Sequence, residues 1–298
     1  MIAKEIVISV PWGIISGRTW GNERDPKILM LHGRFDNIES FAELLPLLPQ
    51  SYFYIAVDLP GHGTSSHLPP NVDCGYWDFI MAIRLVVNFL KEGTNIILLG
   101  HSFGGGLLLT YTQLYPEDVS KLILIDANYF RSFEAQVFKA YSRHHIDGAC
   151  KLLARSSTAK PPTFTYAEGL KALLDRRMYG EIAQEPAERI YKRNLLKVAE
   201  GKYQMAGDPR IKIYPYFILN ANTINRLIKH HPIRCPMLSI VAARSEMPPP
   251  DREFLAKLEK LSTNCITKVV DGNHHMHANC PQIVAPLICD FLKPKSNL

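Results

Sequence analysis

Apolar residues along the chain fall into short runs that alternate with longer stretches of helical spacing. Eight of these runs predict strands, because they are short, apolar and bounded by turn-forming residues. They comprise residues 4–10, 13–19, 28–31, 52–57, 96–99, 121–125, 236–242 and 266–270. The first two runs flank Pro11 and Trp12 and predict an antiparallel hairpin at a sheet edge. The wholly apolar run 28–31 predicts a strand that is buried on both faces.

Stretches with helical spacing separate the strand runs, which predicts helices on both faces of a mostly parallel sheet. They comprise residues 40–48, 77–90, the segment from the glycines after residue 99 to Tyr115, 252–261 and 283–292. Ser40 is the predicted N-cap of the first helix, and Pro49 ends it. Between residues 129 and 235 the strand signals fade and helical stretches dominate. We therefore expect one domain, with a core of residues 1–128 and 236–298 and a helical insertion at 129–235, after the sixth strand.

Composition and charge narrow the class of protein. The 298 residues are 47% hydrophobic and 21% charged, which excludes a disordered chain and allows a large buried core. The net charge of +6 comes without a concentrated basic run, so nothing indicates nucleic-acid binding. No stretch of about 20 uninterrupted apolar residues predicts a transmembrane span. The six cysteines include no CxxC pair, which argues against a zinc ribbon or a redox site.

The expected location is the cytoplasm, because no signal-peptide pattern is present. The last three residues, Ser296, Asn297 and Leu298, differ at one position from the Ser-Lys-Leu peroxisomal address. A peroxisomal location is therefore a weaker alternative.

A serine flanked by glycines follows the fifth strand run. Residues 100–104 form a G-x-S-x-G motif with Ser102 at its centre, directly before a helix that starts with small residues. A serine in a tight strand-to-helix turn leaves room only for very small neighbours, which Gly100 and Gly104 provide. The N–H groups at the start of the helix can then stabilise a developing oxyanion. The motif predicts that Ser102 is a nucleophile.

Several further motifs carry a resemblance to a known family. They are Val10-Pro11-Trp12-Gly13, Leu31-His32-Gly33, Asp36-Asn37, Leu45-Pro46-Leu47-Leu48-Pro49, Asp58 with Gly61-His62-Gly63, the residues 100–105, and Gly272-Asn273-His274. With them the chain resembles an α/β-hydrolase, most closely the eukaryotic serine hydrolase-like proteins of the kraken type. The likeness covers the whole sheet, whereas the insertion is similar only in being helical. It implies an α/β-hydrolase fold with an eight-stranded sheet and a cap that acts as a lid.

The resemblance also implies a reaction class. A serine at the elbow excludes relatives that use aspartate there, such as haloalkane dehalogenases and epoxide hydrolases. We expect a serine hydrolase that cleaves an ester or thioester of an apolar acyl group through an acyl-enzyme. Apolar residues of the insertion are candidates for the pocket wall: Tyr129, Phe130, Phe133, Phe138, Phe217 and Leu219. The alternative is a non-catalytic member of the fold that binds a hydrophobic ligand or a partner.

A serine hydroxyl needs a base, and in this fold the histidine comes last in chain order. His274 lies after the final strand and matches the G-x-H loop of the resembled family, so it is the expected base. His275 and His277 are rivals in the same loop. His277 falls where many hydrolases of this fold keep a second, structural histidine.

The acid that should orient the histidine is not where the resembled family places it. Ser245 occupies that position, after the strand run 236–242. Two carboxylates remain as candidates. Asp126 ends the strand run 121–125, and Glu246 lies one residue past the usual place. We favour Asp126 over Glu246. A third possibility is that neither carboxylate serves as the acid, and the missing acid at position 245 is what supports the non-catalytic alternative.

The oxyanion hole is expected to use two backbone N–H groups. One belongs to Phe103, directly after the nucleophile, and the other to Arg34, in the turn after His32 and Gly33. The guanidinium of Arg34 either contacts an anionic group of the substrate or pairs with Asp36.

Other residues that look chemical are expected to be structural. They are His32, His101 and the segment from Asp58 to Gly63. None of the histidines has metal-ligand spacing with carboxylates or cysteines, so we predict no metal and no cofactor.

The basic charge belongs to the insertion. Residues 131–235 hold 19 lysines and arginines against 9 acidic residues, whereas the rest of the chain has 15 against 19. The simpler interpretation is a solvated helical surface. The sharper hypothesis is that a basic cap attracts anionic substrates, such as acyl-CoA, or anionic membrane surfaces.

Overall fold

The computed structural model describes residues 2–70, 74–90, 95–127, 136, 138–158, 161–213, 219, 221–247, 258 and 264–294. Its strands are β1 Ala3–Val10, β2 Gly13–Trp20, β3 Lys27–Leu31, β4 Phe53–Val57, β5 Ile96–His101, β6 Val119–Ile125, β7 Leu195–Ala199, β8 Lys202–Met205, β9 Met237–Ala242 and β10 Cys265–Val270. Its α-helices are α1 Tyr76–Leu90, α2 Ser102–Leu114, α3 Phe138–Thr158, α4 Tyr166–Asp175, α5 Gln184–Arg193, α6 Ala221–His230, α7 Met276–Asn279 and α8 Pro281–Leu292.

Eight strands form one sheet in the order β1-β2-β4-β3-β5-β6-β9-β10. The β1–β2 and β2–β4 pairs are antiparallel, and every other pair is parallel. The predicted fold class is confirmed: an eight-stranded, mostly parallel sheet that begins with an antiparallel edge hairpin. The carboxyl ends of the parallel strands meet at one sheet edge, so the loops that follow β3, β5, β6, β9 and β10 converge there.

Both faces of the sheet are covered, as the apolar strand runs predict. Leu29 and Leu31 pack into one core cluster with α1 and α2, whereas their neighbours Ile28 and Met30 pack into a second cluster with α8. Successive residues of a strand point to opposite faces, so a strand between two helical layers must be apolar throughout.

The described part of the cap lies between β6 and β9 and holds α3 to α6. It also contains the antiparallel hairpin β7–β8, which the prediction of a helical insertion did not include. Gly201 sits between the two strands with a φ of +64°, a conformation that glycine adopts at little cost. Four of the five residues of β7 are exposed, Leu196 and Val198 among them, so this strand is not covered on both faces as the central strands of the main sheet are.

The prediction of a helix at residues 40–48 was wrong. Two short 3₁₀ turns, Ile38–Phe41 and Leu45–Leu47, occupy the segment, and Asn37 rather than Ser40 caps the first of them by accepting from Glu39 N–H. Pro46 has no N–H to donate and so disfavours a continuous α-helix.

Several sequence predictions lie outside the described residues. They concern Tyr129, Phe130, Phe133, Phe217, the tripeptide 296–298 and the helix at 252–261, of which only Leu258 is described. In the described ranges, no helix has the length and apolarity that crossing a membrane requires.

Candidate active site

The G-x-S-x-G motif forms the predicted turn between β5 and α2. Ser102 is the first residue of α2 and has a φ of +51°, in the left-handed region that non-glycine residues rarely adopt. The turn requires glycine at its C-terminal side, because a Cβ on Gly104 would lie 2.4 Å from the carbonyl oxygen of His32. The missing side chain therefore lets the start of α2 approach the turn after β3.

His274 lies beside Ser102. Its Nε2 is 2.9 Å from Ser102 Oγ, and both side chains are buried. The Nδ1 of His274 is 2.6 Å from Oδ2 of Asp126. Because an ionised carboxylate only accepts hydrogen bonds, Nδ1 carries the proton and Nε2 is free to accept from the serine hydroxyl. A neutral His274 in this tautomer can take the proton of Ser102.

Asp126 follows β6 directly and is fully buried, with a φ of +40°. Its Oδ1 accepts the Ala242 N–H at 2.9 Å, and its Oδ2 also accepts the Ser245 hydroxyl at 2.6 Å. Ser245 thus contacts the carboxylate that His274 contacts. The structure brings Asp126 to the histidine, whereas Glu246 has an exposed side chain.

Three more histidines surround His274. His101 Nε2 donates to the His274 carbonyl oxygen at 2.9 Å, which ties the elbow to the histidine loop. The ring of His277 packs against that of His101, with the centroids 3.9 Å apart and the planes tilted by 36°. His275 donates from Nε2 to the Met178 carbonyl oxygen at 2.8 Å and lies against the guanidinium of Arg177. Of the loop histidines, His274 is the one placed against both the serine and a carboxylate.

Burial keeps these three neighbours neutral. It lowers the pKa of His101 well below the ordinary value, and the nearby His277 and His274 act in the same direction. Burial, followed by the charge of Arg177, lowers the pKa of His275. Burial lowers the pKa of His277 to about 3. The imidazole that contacts Ser102 is therefore surrounded by rings that carry no charge at neutral pH.

The turn after β3 reaches the nucleophile from the other side. A Cβ on Gly33 would lie 3.3 Å from Ser102 Cβ, so the Gly33–Arg34 backbone is adjacent to the serine. Phe103, in the first turn of α2, has an N–H without an intrahelical acceptor, because the first four N–H groups of a helix lack one. These are the places where the two oxyanion donors were expected.

The Arg34 and Asp36 side chains take different partners across the cap boundary. Arg34 donates from Nε to the Ile211 carbonyl oxygen at 3.0 Å, and its guanidinium lies over the ring of Phe35. Asp36 pairs with Arg177 at 2.6 Å, and both side chains are buried. The cap thus supplies the ion-pair partner for Asp36.

Cap residues 177–183 rest directly on the histidine loop, a contact that no sequence motif indicated. The Glu181 carbonyl oxygen accepts from Asn273 Nδ2 at 2.7 Å and from Asn279 Nδ2 at 2.9 Å. The Tyr179 ring lies edge-to-face with the His274 ring, at a centroid distance of 5.2 Å.

The residues expected to be structural make buried hydrogen bonds. His32 Nε2 accepts the Leu59 N–H at 3.0 Å, and its Nδ1 donates to the Gly33 carbonyl oxygen at 2.8 Å. Asp58 accepts the Ile38 N–H at 3.0 Å and pairs with Arg193 of the cap at 2.8 Å. Within the ranges that the structure describes, no cluster of three histidines, cysteines or carboxylates could hold a metal ion.

The sequence profile of the α/β hydrolase fold family matches residues 26–188. A Drosophila melanogaster protein named probable serine hydrolase is 33% identical over 97% of this chain and 88% of its own length. Human serine hydrolase-like protein 2 is 34% identical over 98% of this chain and 95% of its own length.

Solved structures share the fold. The thioesterase domain from the curacin biosynthetic pathway has a TM-score of 0.80 at 22% identity, over 97% of this chain and 100% of that one. A hypothetical protein from Pseudomonas aeruginosa also has a TM-score of 0.80, at 25% identity over 96% of this chain and 98% of that one. The profile match and the two full-length relatives confirm the resemblance carried by the motifs: this chain belongs to the α/β-hydrolase family and, within it, to the serine hydrolase-like proteins.

Proposed function

We propose that this protein is a serine hydrolase that cleaves an ester or thioester of an apolar acyl group through an acyl-enzyme. The single observation that carries the proposal is the hydrogen-bonded chain from Ser102 Oγ through His274 to Asp126, with contacts of 2.9 and 2.6 Å. Each group has the partner that acyl transfer requires of it.

In the proposed reaction, His274 Nε2 takes the proton of Ser102 as the oxygen attacks the acyl carbon. The N–H groups of Phe103 and Arg34 receive the oxyanion, and each such donor is typically worth about 3 kcal/mol in the transition state. The imidazolium, stabilised by Asp126, then gives its proton to the departing oxygen or sulfur. Water activated by the same imidazole releases the acid and regenerates the serine.

The observation behind the non-catalytic alternative was the serine at position 245 in place of an acid. Asp126 now supplies a carboxylate at hydrogen-bond distance from His274, which favours the enzyme. For the acyl group, Leu219 packs against the core cluster that contains Phe103, in keeping with an apolar site. Phe138, in contrast, has a 60% exposed side chain at the start of α3.

Labelling with a fluorophosphonate tests the proposal, with Ser102→Ala as the control. We expect stoichiometric modification of Ser102 in the wild-type protein and none in the variant. Hydrolysis of 4-nitrophenyl acetate, butanoate and octanoate, and of the matching thioesters, then tests the acyl preference, with kcat/KM expected to rise with chain length. A folded wild-type protein that neither labels nor hydrolyses any of these compounds would refute the enzyme assignment.

A further inference from the structure

Backbone strain marks a residue of the cap that the proposed mechanism does not use. Of the described non-glycine residues, Phe35, Ser102, Asp126 and Tyr179 have left-handed φ values, between +40° and +69°. Such strain persists where the surrounding structure fixes it, and it is concentrated at functional sites. Phe35 lies in the turn after β3, and Ser102 and Asp126 belong to the proposed triad. Tyr179 is the fourth member of this set, and it comes from the cap.

The ring of Tyr179 lies against the proposed base. Its centroid is 5.2 Å from that of His274, with an interplanar angle of 81°. The described neighbouring rings on the core side of the imidazole are His101, at 4.7 Å, and His275, at 5.1 Å. Tyr179 is thus the aromatic contact that the described part of the cap makes with His274.

Hydrogen bonds on both sides of Tyr179 hold its strained backbone. The carbonyl of the preceding residue, Met178, accepts from His275 at 2.8 Å. The carbonyl of Glu181, two residues later, accepts from Asn273 at 2.7 Å. Both donors belong to the loop that carries His274. The backbone that carries the ring is therefore tied to the loop that carries the imidazole, as expected of a residue that contacts substrate.

The proposed reaction places the leaving group close to Tyr179. His274 Nε2 delivers its proton to the oxygen or sulfur of the leaving group. This happens while the bond between that atom and the acyl carbon breaks, and the acyl carbon is already bonded to Ser102 Oγ. The leaving group must therefore lie beside the imidazole. We propose that Tyr179 is a specificity-determining residue that packs against the leaving group and favours flat, apolar alcohols or thiols. An aromatic ring packs best on such groups. This inference rests on the proposed function.

Two phosphonates that share one phosphonyl group and differ in the leaving group test it. One releases fluoride, which is too small to contact the ring, and the other releases 4-nitrophenoxide. In Tyr179→Asn the side chain tolerates a left-handed backbone but lacks the ring. We expect this variant to react about 5- to 10-fold more slowly with the nitrophenyl reagent, the loss that one aromatic contact implies. Its rate with the fluoride reagent stays within about twofold of wild type.

Tyr179→Phe keeps the ring and should retain both rates. Tyr203→Asn is the matched control, because Tyr203 is a cap tyrosine whose ring contacts Tyr166; it should also leave both rates unchanged. An equal change with the two reagents in Tyr179→Asn, or no change with either, overturns the inference and leaves the proposed function intact. If neither reagent modifies Ser102 in the wild-type protein, the proposed function fails and this inference fails with it.

Discussion

Ser245 donates a hydrogen bond of 2.6 Å from its hydroxyl to Oδ2 of Asp126, the oxygen that His274 also contacts. The two residues follow β9 and β6, which are neighbouring parallel strands, so both loops end beside the histidine. The resemblance led us to expect an acid at position 245. The carboxylate beside the imidazole instead comes from Asp126, one strand away, and Ser245 donates to it.

Replacing Asp126 by asparagine should lower kcat for an ester on the order of 10⁴-fold, by comparison with the equivalent change in a serine protease. The amide can donate to Nδ1 and so favours the wrong imidazole tautomer. Steady-state hydrolysis of 4-nitrophenyl butanoate measures the effect. Glu246→Gln is the matched control and should stay within about twofold of wild type, because its side chain is exposed. Equal losses in the two variants would contradict the assignment of Asp126.

The sequence predicted the sheet correctly and singled out two members of the proposed triad, because these signals are local. A glycine-bounded turn around Ser102 and a G-x-H loop around His274 can be recognised within a few residues. The acid could not be decided this way, since Asp126 and Glu246 lie in separate loops and only the placement of their side chains shows which one faces the imidazole. The docking of Tyr179 has the same origin, because the contact joins residues 95 positions apart and no spacing encodes it.

Buried histidines should make the fold sensitive to acid. Burial lowers the pKa of each of His32, His62, His101, His275 and His277 from the ordinary 6.5. Above pH 6.5 these rings are neutral in both the folded and the unfolded chain, so their titration does not lower the free energy of unfolding. Below it the unfolded chain binds protons that the fold excludes. Stability therefore falls as the pH drops below 6.5, by up to about 1.4 kcal/mol per pH unit for each histidine that stays neutral in the folded protein.

Urea unfolding at pH 7.5, 6.5 and 5.5 measures this slope. The His277→Phe variant has one fewer histidine to titrate on unfolding. Below pH 6.5 its free energy of unfolding should therefore fall less steeply than that of the wild type, by about 1.4 kcal/mol per pH unit. Phenylalanine suits the position, because neither nitrogen of the fully buried His277 has a hydrogen-bond partner among the described residues. A slope equal to that of the wild type would show that His277 does not stay neutral in the folded protein.

Gly104 should not tolerate a side chain. An alanine Cβ there would lie 2.4 and 2.5 Å from the carbonyl oxygens of His32 and Leu31, and backbone cannot move aside as a flexible side chain does. We expect Gly104→Ala to lower the free energy of unfolding by about 1–3 kcal/mol and to reduce labelling of Ser102, because the elbow must shift. In Gly207→Ala the nearest atom to the new Cβ is the Gly61 oxygen at 3.6 Å, an ordinary contact. That variant should match the wild type or exceed its stability by about 0.4–1 kcal/mol.

Part of the basic charge of the cap is used to hold the cap on the core. Arg177, Arg189 and Arg193 pair with Asp36, Glu43 and Asp58, respectively. Arg193 is 9% exposed and Asp58 is fully buried. Arg193→Met leaves this buried carboxylate without its cation, so it should lower the free energy of unfolding by about 3–5 kcal/mol, as measured by urea unfolding. Arg189→Met is the control: its side chain is 45% exposed, and the expected loss is below about 1 kcal/mol. Similar losses in both variants would mean that Asp58 finds other compensation.

The shared hydrogen bond between Ser245 and Asp126 also predicts that the acid can be moved to position 245. In the double variant Asp126→Ser with Ser245→Asp, a carboxylate stands in the loop after β9, and a hydroxyl replaces it after β6. Because the two side chains now meet at 2.6 Å, the exchange preserves one donor and one acceptor at nearly the same place. Its kcat should exceed that of Asp126→Ser alone by at least about tenfold, since the imidazolium regains a negative partner, an effect worth several orders of magnitude in a serine protease. If the added Ser245→Asp gives no recovery although the double variant unfolds as cooperatively as the wild type, the loop after β9 does not bring position 245 within reach of His274 Nδ1.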